Sequence, residues 1–289
     1  MTTEPAVDDI IHRALAEDAP WGDVTSETFL PETARARAVL AAREPGVLSG
    51  IGVAARTFQL VDPATTVEVL AADGDAFAAG DVLARIEGPA RSVLRAERIA
   101  LNLLQRMSGI ATRTRRHVDE VAGTSARVVD TRKTTPGLRI LERRAVRDGG
   151  GHNHRSTLSD AVLAKDNHLA VLAAAGVPIG DAIRDARTRL GHTVHLEVEV
   201  DRVDQIEEVV AAGVDTIMLD NFSLDDLRTG VALVAGRCLI EASGGVNLDT
   251  IGAIARTGVD LISVGALTHE QRALDLGLDI AVDTGVRIG

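Results

Sequence analysis

At 289 residues the chain is long enough for one barrel-sized domain or two smaller ones, and 25% charged with 45% apolar residues is ordinary for a soluble globular protein. A net charge of −11 argues against non-specific duplex binding, and 2% aromatics with no tyrosine argue against a stacking platform for single-stranded nucleic acid. The single cysteine, Cys238, excludes an internal disulfide and a cysteine-based zinc site; within Arg237-Cys-Leu-Ile it reads as a buried structural thiol. The N-terminus shows acids rather than a basic stretch and apolar core, and no apolar run approaches the roughly 18 residues of a membrane span. A cytoplasmic protein without nucleic-acid or membrane partners is expected.

In chain order, Val7, Ile10, Ile11 and Leu15 fall at helical spacing and predict an amphipathic helix over 5–17, ended by the loop Asp18-Ala-Pro-Trp-Gly-Asp23. From Ala34 to Pro89 the rhythm is that of short strands. Arg35-Ala-Arg-Ala-Val-Leu-Ala alternates, Glu44-Pro-Gly turns, and Thr66-Val-Glu-Val-Leu is a further strand. Asp73-Gly-Asp and Gly80-Asp mark tight turns before Val82-Leu-Ala-Arg-Ile, and a short helix is expected over 52–60. These turns are reminiscent of biotinyl or lipoyl modules, but residues 1–132 contain no lysine to carry such a cofactor. Residues 91–122 predict a long helix through Leu94, Ile99, Leu103 and Met107, interrupted near Ser108-Gly109. Its arginines Arg91, Arg95, Arg98 and Arg106 read by default as a solvated face.

A different pattern begins at residue 126. Apolar strand candidates at 126–130, 160–164, 194–200, 214–219, 237–241 and 260–264 alternate with helical stretches at 137–148, 179–190, 202–212, 223–235 and 247–257. This predicts right-handed βαβ units around a parallel sheet buried on both faces. The strands are followed in turn by Arg132-Lys133, Lys165-Asp166, Glu199 with Asp201, Asp220-Asn221, Ser243-Gly244-Gly245 and Gly265-Ala266. Functional residues at every strand end favour an α/β barrel over an open doubly wound sheet, which would carry G-x-G-x-x-G after its first strand. Six strands are clear and a seventh is arguable, so the barrel is incomplete, with about seven strands.

Charge is concentrated in this half. Arg132 to His168 holds eight Lys or Arg against four Asp or Glu, in a chain whose net charge is −11. Of 31 cationic residues 29 are Arg, and the two lysines, Lys133 and Lys165, each follow an apolar strand. A compact ammonium on a flexible stem, which a planar guanidinium cannot replace, is wanted at these two points, and the segment is built to hold an anion. Ser243-Gly-Gly before the helix at 247–257, and Gly265-Ala266 before the last helix, suit a phosphate at a helix N-terminus. Glu199 and Asp220 could orient sugar hydroxyls, support a hydrated Mg²⁺ through the substrate, or stabilise an oxocarbenium-like centre. A metal site of His152, His154 and His168 lacks thiolate or H-x-x-x-H support.

Across nearly its whole length the chain resembles the quinolinate phosphoribosyltransferase family of type II phosphoribosyltransferases. The resemblance runs through Ala96-Glu-Arg98, Asn102-Leu, Ser108-Gly-Ile-Ala-Thr, Asp130-Thr-Arg-Lys-Thr, Pro136-Gly-Leu-Arg, Gly149-Gly-Gly-His-Asn-His-Arg155, Lys165-Asp-Asn-His168, Glu197-Val-Glu199, Leu219-Asp-Asn, Glu241-Ala-Ser-Gly-Gly and Val264-Gly-Ala-Leu-Thr-His269. It implies an α/β sandwich over 1–110, joined by the segment 271–289, a barrel over 111–270, and a homodimer or higher homo-oligomer with shared active sites. It implies transfer of phosphoribose from phosphoribosyl pyrophosphate to quinolinate with decarboxylation, giving nicotinate mononucleotide for NAD biosynthesis. Carried over by motif, Thr131, Arg132, Lys133, His154, Arg155 and Lys165 line the quinolinate pocket, and Arg98 reaches it from the neighbouring subunit, which reverses its solvated-face reading. Glu199 and Asp220 address the ribose and Mg²⁺–pyrophosphate, with Mg²⁺ held mainly through the substrate. Ser243, Gly244, Gly245, Val264, Gly265 and Ala266 hold the 5′-phosphate, and His269 is a further candidate. Ala164, where a larger aliphatic residue is usual, and Thr157, where glycine is common, depart from the pattern without touching a charged role.

The rivals are a nicotinate transferase that does not decarboxylate, a molybdenum-related paralogue of the fold, a Schiff-base aldolase using Lys165, and a non-catalytic phosphosugar sensor. So cationic a pocket is excessive for a single carboxylate, which disfavours the first.

Overall fold

The computed structural model describes residues 5–283 and divides into two compact units. One holds the chain up to Arg115, Thr134–Gly150 and the segment from Thr268; the other holds Arg116–Lys133 and Gly151–Leu267. Residues 1–4 and 284–289, which fall in the expected segments 1–110 and 271–289, lie outside the described residues.

The first unit opens with α1 (Pro5–Asp18), which buries Val7, Ile10, Ile11 and Leu15 as their spacing predicts. Helix α2 (Val24–Phe29) was not expected. Asp23 starts it by accepting the N–H groups of Thr25 at 3.0 Å and Ser26 at 3.1 Å, an N-cap that satisfies two otherwise orphaned donors. There follow β1 (Arg35–Ala42), β2 (Gly46–Val47), α3 (Ile51–Val61), β3 (Thr66–Val69), β4 (Ala76–Phe77) and β5 (Val82–Pro89). Alternation along β1 exposes Arg35 and Arg37 and buries Ala36, Ala38 and Leu40. Leu40, Leu83 and Ile86 share one core with Phe58 and with Ala96, Ala100 and Leu104. Full burial of a leucine of this kind contributes about 1.5–3 kcal/mol.

The last three of those core residues lie on α4 (Ala90–Glu120), which runs 31 residues without the expected break at Ser108-Gly109. Gly109 is an approach point instead, because a Cβ there would collide with the carbonyl oxygen of Arg272. Helix α5 (Arg139–Asp148) belongs to this unit through polar contacts: Arg144 Nη2 donates to Asp73 Oδ2 at 3.0 Å, and Ser49 Oγ to Asp148 Oδ2 at 2.6 Å.

The second unit contains β6 (Arg127–Val129), β7 (Val162–Ala164), α6 (Asp166–Ala174), α7 (Ile179–Arg189), β8 (Leu196–Val200), α8 (Ile206–Ala211), β9 (Thr216–Asp220), α9 (Leu224–Val234), β10 (Leu239–Ser243), α10 (Ile251–Ala255), β11 (Leu261–Ser263) and α11 (Ala266–His269), the last reaching into the other unit. Its strands form one parallel sheet in the order β6-β11-β10-β9-β8-β7. Ile240 pairs with Ile217 and Ser243 with Asp220, so the ends of β9 and β10 lie side by side.

About seven strands were expected, and six form a ladder. The seventh place is a single parallel bridge between Val129 and His152, with His152 N–H donating to Val128 O at 2.8 Å and Asp130 N–H to His152 O at 3.0 Å. The run Gly151-His-Asn-His has no apolar alternation to extend the bridge, and the next N–H, that of His154, goes to the Asp130 side chain rather than to a strand. Finally β12 (Leu276–Asp283) returns to the first unit and pairs antiparallel with β1, completing a sheet of order β12-β1-β5-β3 beside the short pair β2-β4. No helix among the described residues is long and apolar enough to cross a membrane.

Candidate active site

The C-terminal ends of the parallel strands carry most of the residues singled out in the sequence. Thr131, Arg132 and Lys133 follow β6, and Thr131 Oγ1 accepts the Lys133 N–H at 3.1 Å. Lys165 follows β7 and caps α6, whose His168 Nδ1 accepts the Lys165 N–H at 3.0 Å; this commits His168 to a cap rather than to a metal. Glu199 lies one residue from the end of β8, Asp220 ends β9 and Ser243 ends β10. Val264 is buried, Gly265 is half-buried, and Ala266 begins α11. Arg98 and His269 belong to the other unit and both are exposed; His269 Nδ1 lies 3.8 Å from Glu270 Oε1.

Two of these residues, expected on opposite sides of the substrate, meet directly. Lys165 Nζ donates to Glu199 Oε2 at 2.5 Å, with the carboxylate buried and the lysine side chain 46% exposed. Arg155 lies in the same unit as Arg132 and feels its charge. Burial, and then repulsion from Arg132, pull the Arg155 guanidinium below its ordinary value, against the opposing pull of Glu197 and Asp160. Arg155 Nη1 donates to Ala161 O at 2.9 Å. The loop between them is pinned by Asp160, which accepts the N–H and hydroxyl groups of both Ser156 and Thr157 and is thereby held far below the usual carboxylate range. Thr157, unusual beside the family pattern, thus has a local task.

Beneath this cationic layer lie acids that the sequence reading did not single out. Asp130, fully buried, accepts from Asn153 Nδ2 at 2.6 Å and from His154 N–H at 2.7 Å, and so fixes the backbone that carries His154. The His154 Nε2 lies 3.0 Å from Glu197 Oε2 and 3.4 Å from Glu241 Oε2, both glutamates being buried. Burial alone would lower the histidine's pKa, but the bonds and charges of Glu197 and Glu241 outweigh it and push it up to about 10. His154 Nδ1 accepts the Arg155 N–H at 2.7 Å, so the ring's own proton sits on Nε2. Burial, and repulsion from Glu241, raise Glu197 as well, so the three groups titrate together.

These three residues offer ligand atoms within 4.8 Å of one another, but both ring nitrogens of His154 are already engaged. A signal for the acids was present in the sequence. Glu197 and Glu199, two apart on a strand, share a face, and Glu241 interrupts an apolar strand of a doubly covered sheet.

The other side of the site is a cavity of about 810 Å³ lined by Asp166, Glu199, Asp201, Asp220 and Asn221 among others. The glycine loop adjoins it through Asn221, whose N–H donates to Ser243 O at 2.9 Å. Gly244 and Gly245 have φ values of 90° and 61°, a region glycine enters without penalty. The helix expected from residue 247 starts at Ile251 instead. Asn247 Oδ1 takes the N–H groups of Asp249 at 2.9 Å and Thr250 at 3.1 Å, a local turn that delays the helix. Loop backbone, rather than the helix N-terminus, therefore adjoins the glycines.

Parallel strands that present cations, carboxylates and a glycine loop at one end define a catalytic α/β unit for an anionic substrate. The chain belongs to the quinolinate phosphoribosyltransferase family. Residues 23–108 match the family model for the quinolinate phosphoribosyl transferase N-terminal domain and residues 110–279 that for the C-terminal domain. It is 40% identical over 273 residues to a probable nicotinate-nucleotide pyrophosphorylase [carboxylating] of Bacillus subtilis, covering 94% of this chain and 93% of the relative. It is 42% identical over 281 residues to the nicotinate-nucleotide pyrophosphorylase [carboxylating] of Mycobacterium leprae, covering 95% and 97%. Among solved structures, NadC from Streptococcus pyogenes matches with a TM-score of 0.92 and 40% identity over 98% of this chain and 99% of that one.

Proposed function

We propose that this protein transfers the 5-phosphoribosyl group of phosphoribosyl pyrophosphate to quinolinate and decarboxylates the product to nicotinate mononucleotide. The observation that carries the reading is the Lys165–Glu199 ion pair at the strand ends of the unit that also holds Arg132, Arg155 and the glycine loop. Two adjacent carboxylates suit two guanidiniums and an ammonium. Each charge-assisted bond contributes about 1.5–3 kcal/mol.

In this reading Thr131, Arg132, Lys133, His154, Arg155 and Lys165 hold quinolinate, and His154 acts chiefly by its place in the buried cluster. Glu199 and Asp220 face the ribose, and Ser243, Gly244, Gly245, Val264, Gly265 and Ala266 face the 5′-phosphate, with His269 a further candidate. The carboxylates lining the cavity, Glu199, Asp201 and Asp220, are the hard oxygen donors that Mg²⁺ prefers. Glu199 is bonded to Lys165 and Asp220 to Asn221, so the ion would be held mainly through the substrate. When bound it neutralises charge on the departing pyrophosphate.

The ring nitrogen of quinolinate forms a bond to the anomeric carbon as the bond to pyrophosphate breaks, through an oxocarbenium-like transition state that Glu199 and Asp220 stabilise. The ring is then cationic. The bond to the 2-carboxylate breaks, CO₂ leaves, the electron pair stays on the ring carbon next to the positive nitrogen, and that carbon takes a proton. A cytoplasmic homodimer is part of the proposal. It is supported by exposed Trp21, Val24 and Phe29 and by the exposure of Arg98, expected to serve the neighbouring site. The test is turnover of quinolinate set against nicotinate: consumption of quinolinate alone supports the reading, and consumption of nicotinate overturns it.

A further inference from the structure

Asn221 has a left-handed backbone, which asparagine enters more readily than most residues other than glycine. Its φ is 57°, and among the described residues only Ala235, which caps the end of α9, is another non-glycine with positive φ. Glycine would adopt this conformation at still lower cost but would make none of the side-chain contacts that follow. Its Nδ2 donates to Asp220 Oδ2 at 2.7 Å. Since a carboxylate only accepts, the amide is oriented with Nδ2 towards Asp220 and Oδ1 away from it. That Oδ1 lies against the α-carbon of Gly244: a Cβ built on Gly244 would collide with it and would stand 2.9 Å from Asn221 N. The Asn221 N–H donates to Ser243 O at 2.9 Å, and β9 and β10 are in register at Asp220 and Ser243.

We infer that Asn221 is a positioning residue that locks the carboxylate of Asp220 to the glycine loop 243–245, so that the sugar and the 5′-phosphate of the donor substrate are read by one interlocked piece. The inference rests on the proposed function for the identity of that substrate. One oxygen of Asp220 is held by Asn221, which leaves the other to address the ribose. The lack of a side chain at Gly244 leaves room for the amide that does the holding. A displaced Asp220 would therefore displace the phosphate loop, and the reverse.

The test is Asn221→Gly, which keeps the backbone conformation and the N–H to Ser243 and deletes only the side chain. The KM for phosphoribosyl pyrophosphate should rise roughly tenfold, the size of one charge-assisted hydrogen bond, while the KM for quinolinate stays within about twofold. Ribose 5-phosphate binding, measured by calorimetry on the same protein, should weaken by a similar factor. A Gly244→Ala substitution should cost less in the Asn221→Gly background than in the wild type, because the colliding oxygen is gone. Unchanged donor KM and ribose 5-phosphate affinity in Asn221→Gly, an equal rise in both KM values, or strictly additive double-variant effects would overturn the inference. If Gly244→Ala fails to fold, the single-variant constants decide it. Failure of the wild type to turn over quinolinate would count against the proposed function alone, and ribose 5-phosphate binding would still test the interlock.

Discussion

Replacing Lys165 by alanine separates stability from catalysis in a measurable way. The substitution removes the Nζ that lies 2.5 Å from Glu199 Oε2 and leaves a carboxylate, whose residue is 8% exposed, without that cation. A charge-assisted bond of this kind is worth about 1.5–3 kcal/mol, but the lysine side chain is 46% exposed and water screens the pair, so roughly 1 kcal/mol of stability should be lost. For a protein of this size that is about 2–4 °C in melting temperature. In turnover the same lysine has no such discount, because substrate anions displace the water that screens it. Loss of one undiscounted contact in the transition state corresponds to about a tenfold to 150-fold fall in kcat/KM. Steady-state kinetics with quinolinate and phosphoribosyl pyrophosphate, beside a thermal melt, read both quantities. Lys165→Arg should stay impaired, since a planar fork cannot follow the ammonium's path between Glu199 and the substrate. Near-normal kcat/KM in Lys165→Ala, or a melt that collapses along with activity, refutes the reasoning.

Other consequences can be measured independently. Glu142 is fully buried and accepts from Arg106 Nε at 2.8 Å, Arg106 Nη2 at 2.6 Å and Thr135 N–H at 3.1 Å. Glu142→Ala should cost about 2–4 kcal/mol, less than a wholly buried pair because Arg106 is partly exposed, and a urea titration will show whether the midpoint moves accordingly. The His154 cluster makes stability depend on pH. Its folded pKa is raised from 6.5 to about 10, so the proton's contribution is complete below 6.5, falls across the interval and is lost above about 10. Urea midpoints across that range should fall more steeply in the wild type than in Glu241→Leu, and parallel slopes would show that the cluster does not hold the proton. Finally, mixing impaired Arg98→Ala chains with impaired Lys165→Ala chains should raise activity above that of either alone, through the one site of each mixed dimer that receives both residues, and absence of any rise would argue against a shared site.

Much of the fold could be read in the sequence because the parallel strands are mostly apolar runs that end in charged or glycine-rich residues. The first helix and the alternation of β1 were equally plain. What stayed hidden was decided by tertiary contacts. Gly109 reads locally as a breaker, yet it sits inside an unbroken helix, at a point where the Arg272 backbone leaves no room for a side chain. Helix α2 has six residues, too few for a periodic signal, and depends on the Asp23 cap. Helix α10 begins late because the Asn247 side chain takes two backbone donors first. At the site, the strand-end residues were visible as types and positions, whereas the acids under them showed only as charges inside strands, without their partners. Glu197 and Glu241 stand out as carboxylates inside buried strands, but their meeting with His154, whose backbone Asp130 holds, appears only in three dimensions. Nor could sequence show that Lys165 and Glu199 hold each other before any substrate arrives.

The most direct test of the central claim is carbon accounting. Purified protein supplied with Mg²⁺, phosphoribosyl pyrophosphate and quinolinate labelled in its 2-carboxylate should release one labelled CO₂ and one pyrophosphate for each nicotinate mononucleotide formed. Nicotinate mononucleotide formed from nicotinate without CO₂, or a borohydride-trapped carbonyl adduct on Lys165, would contradict the account.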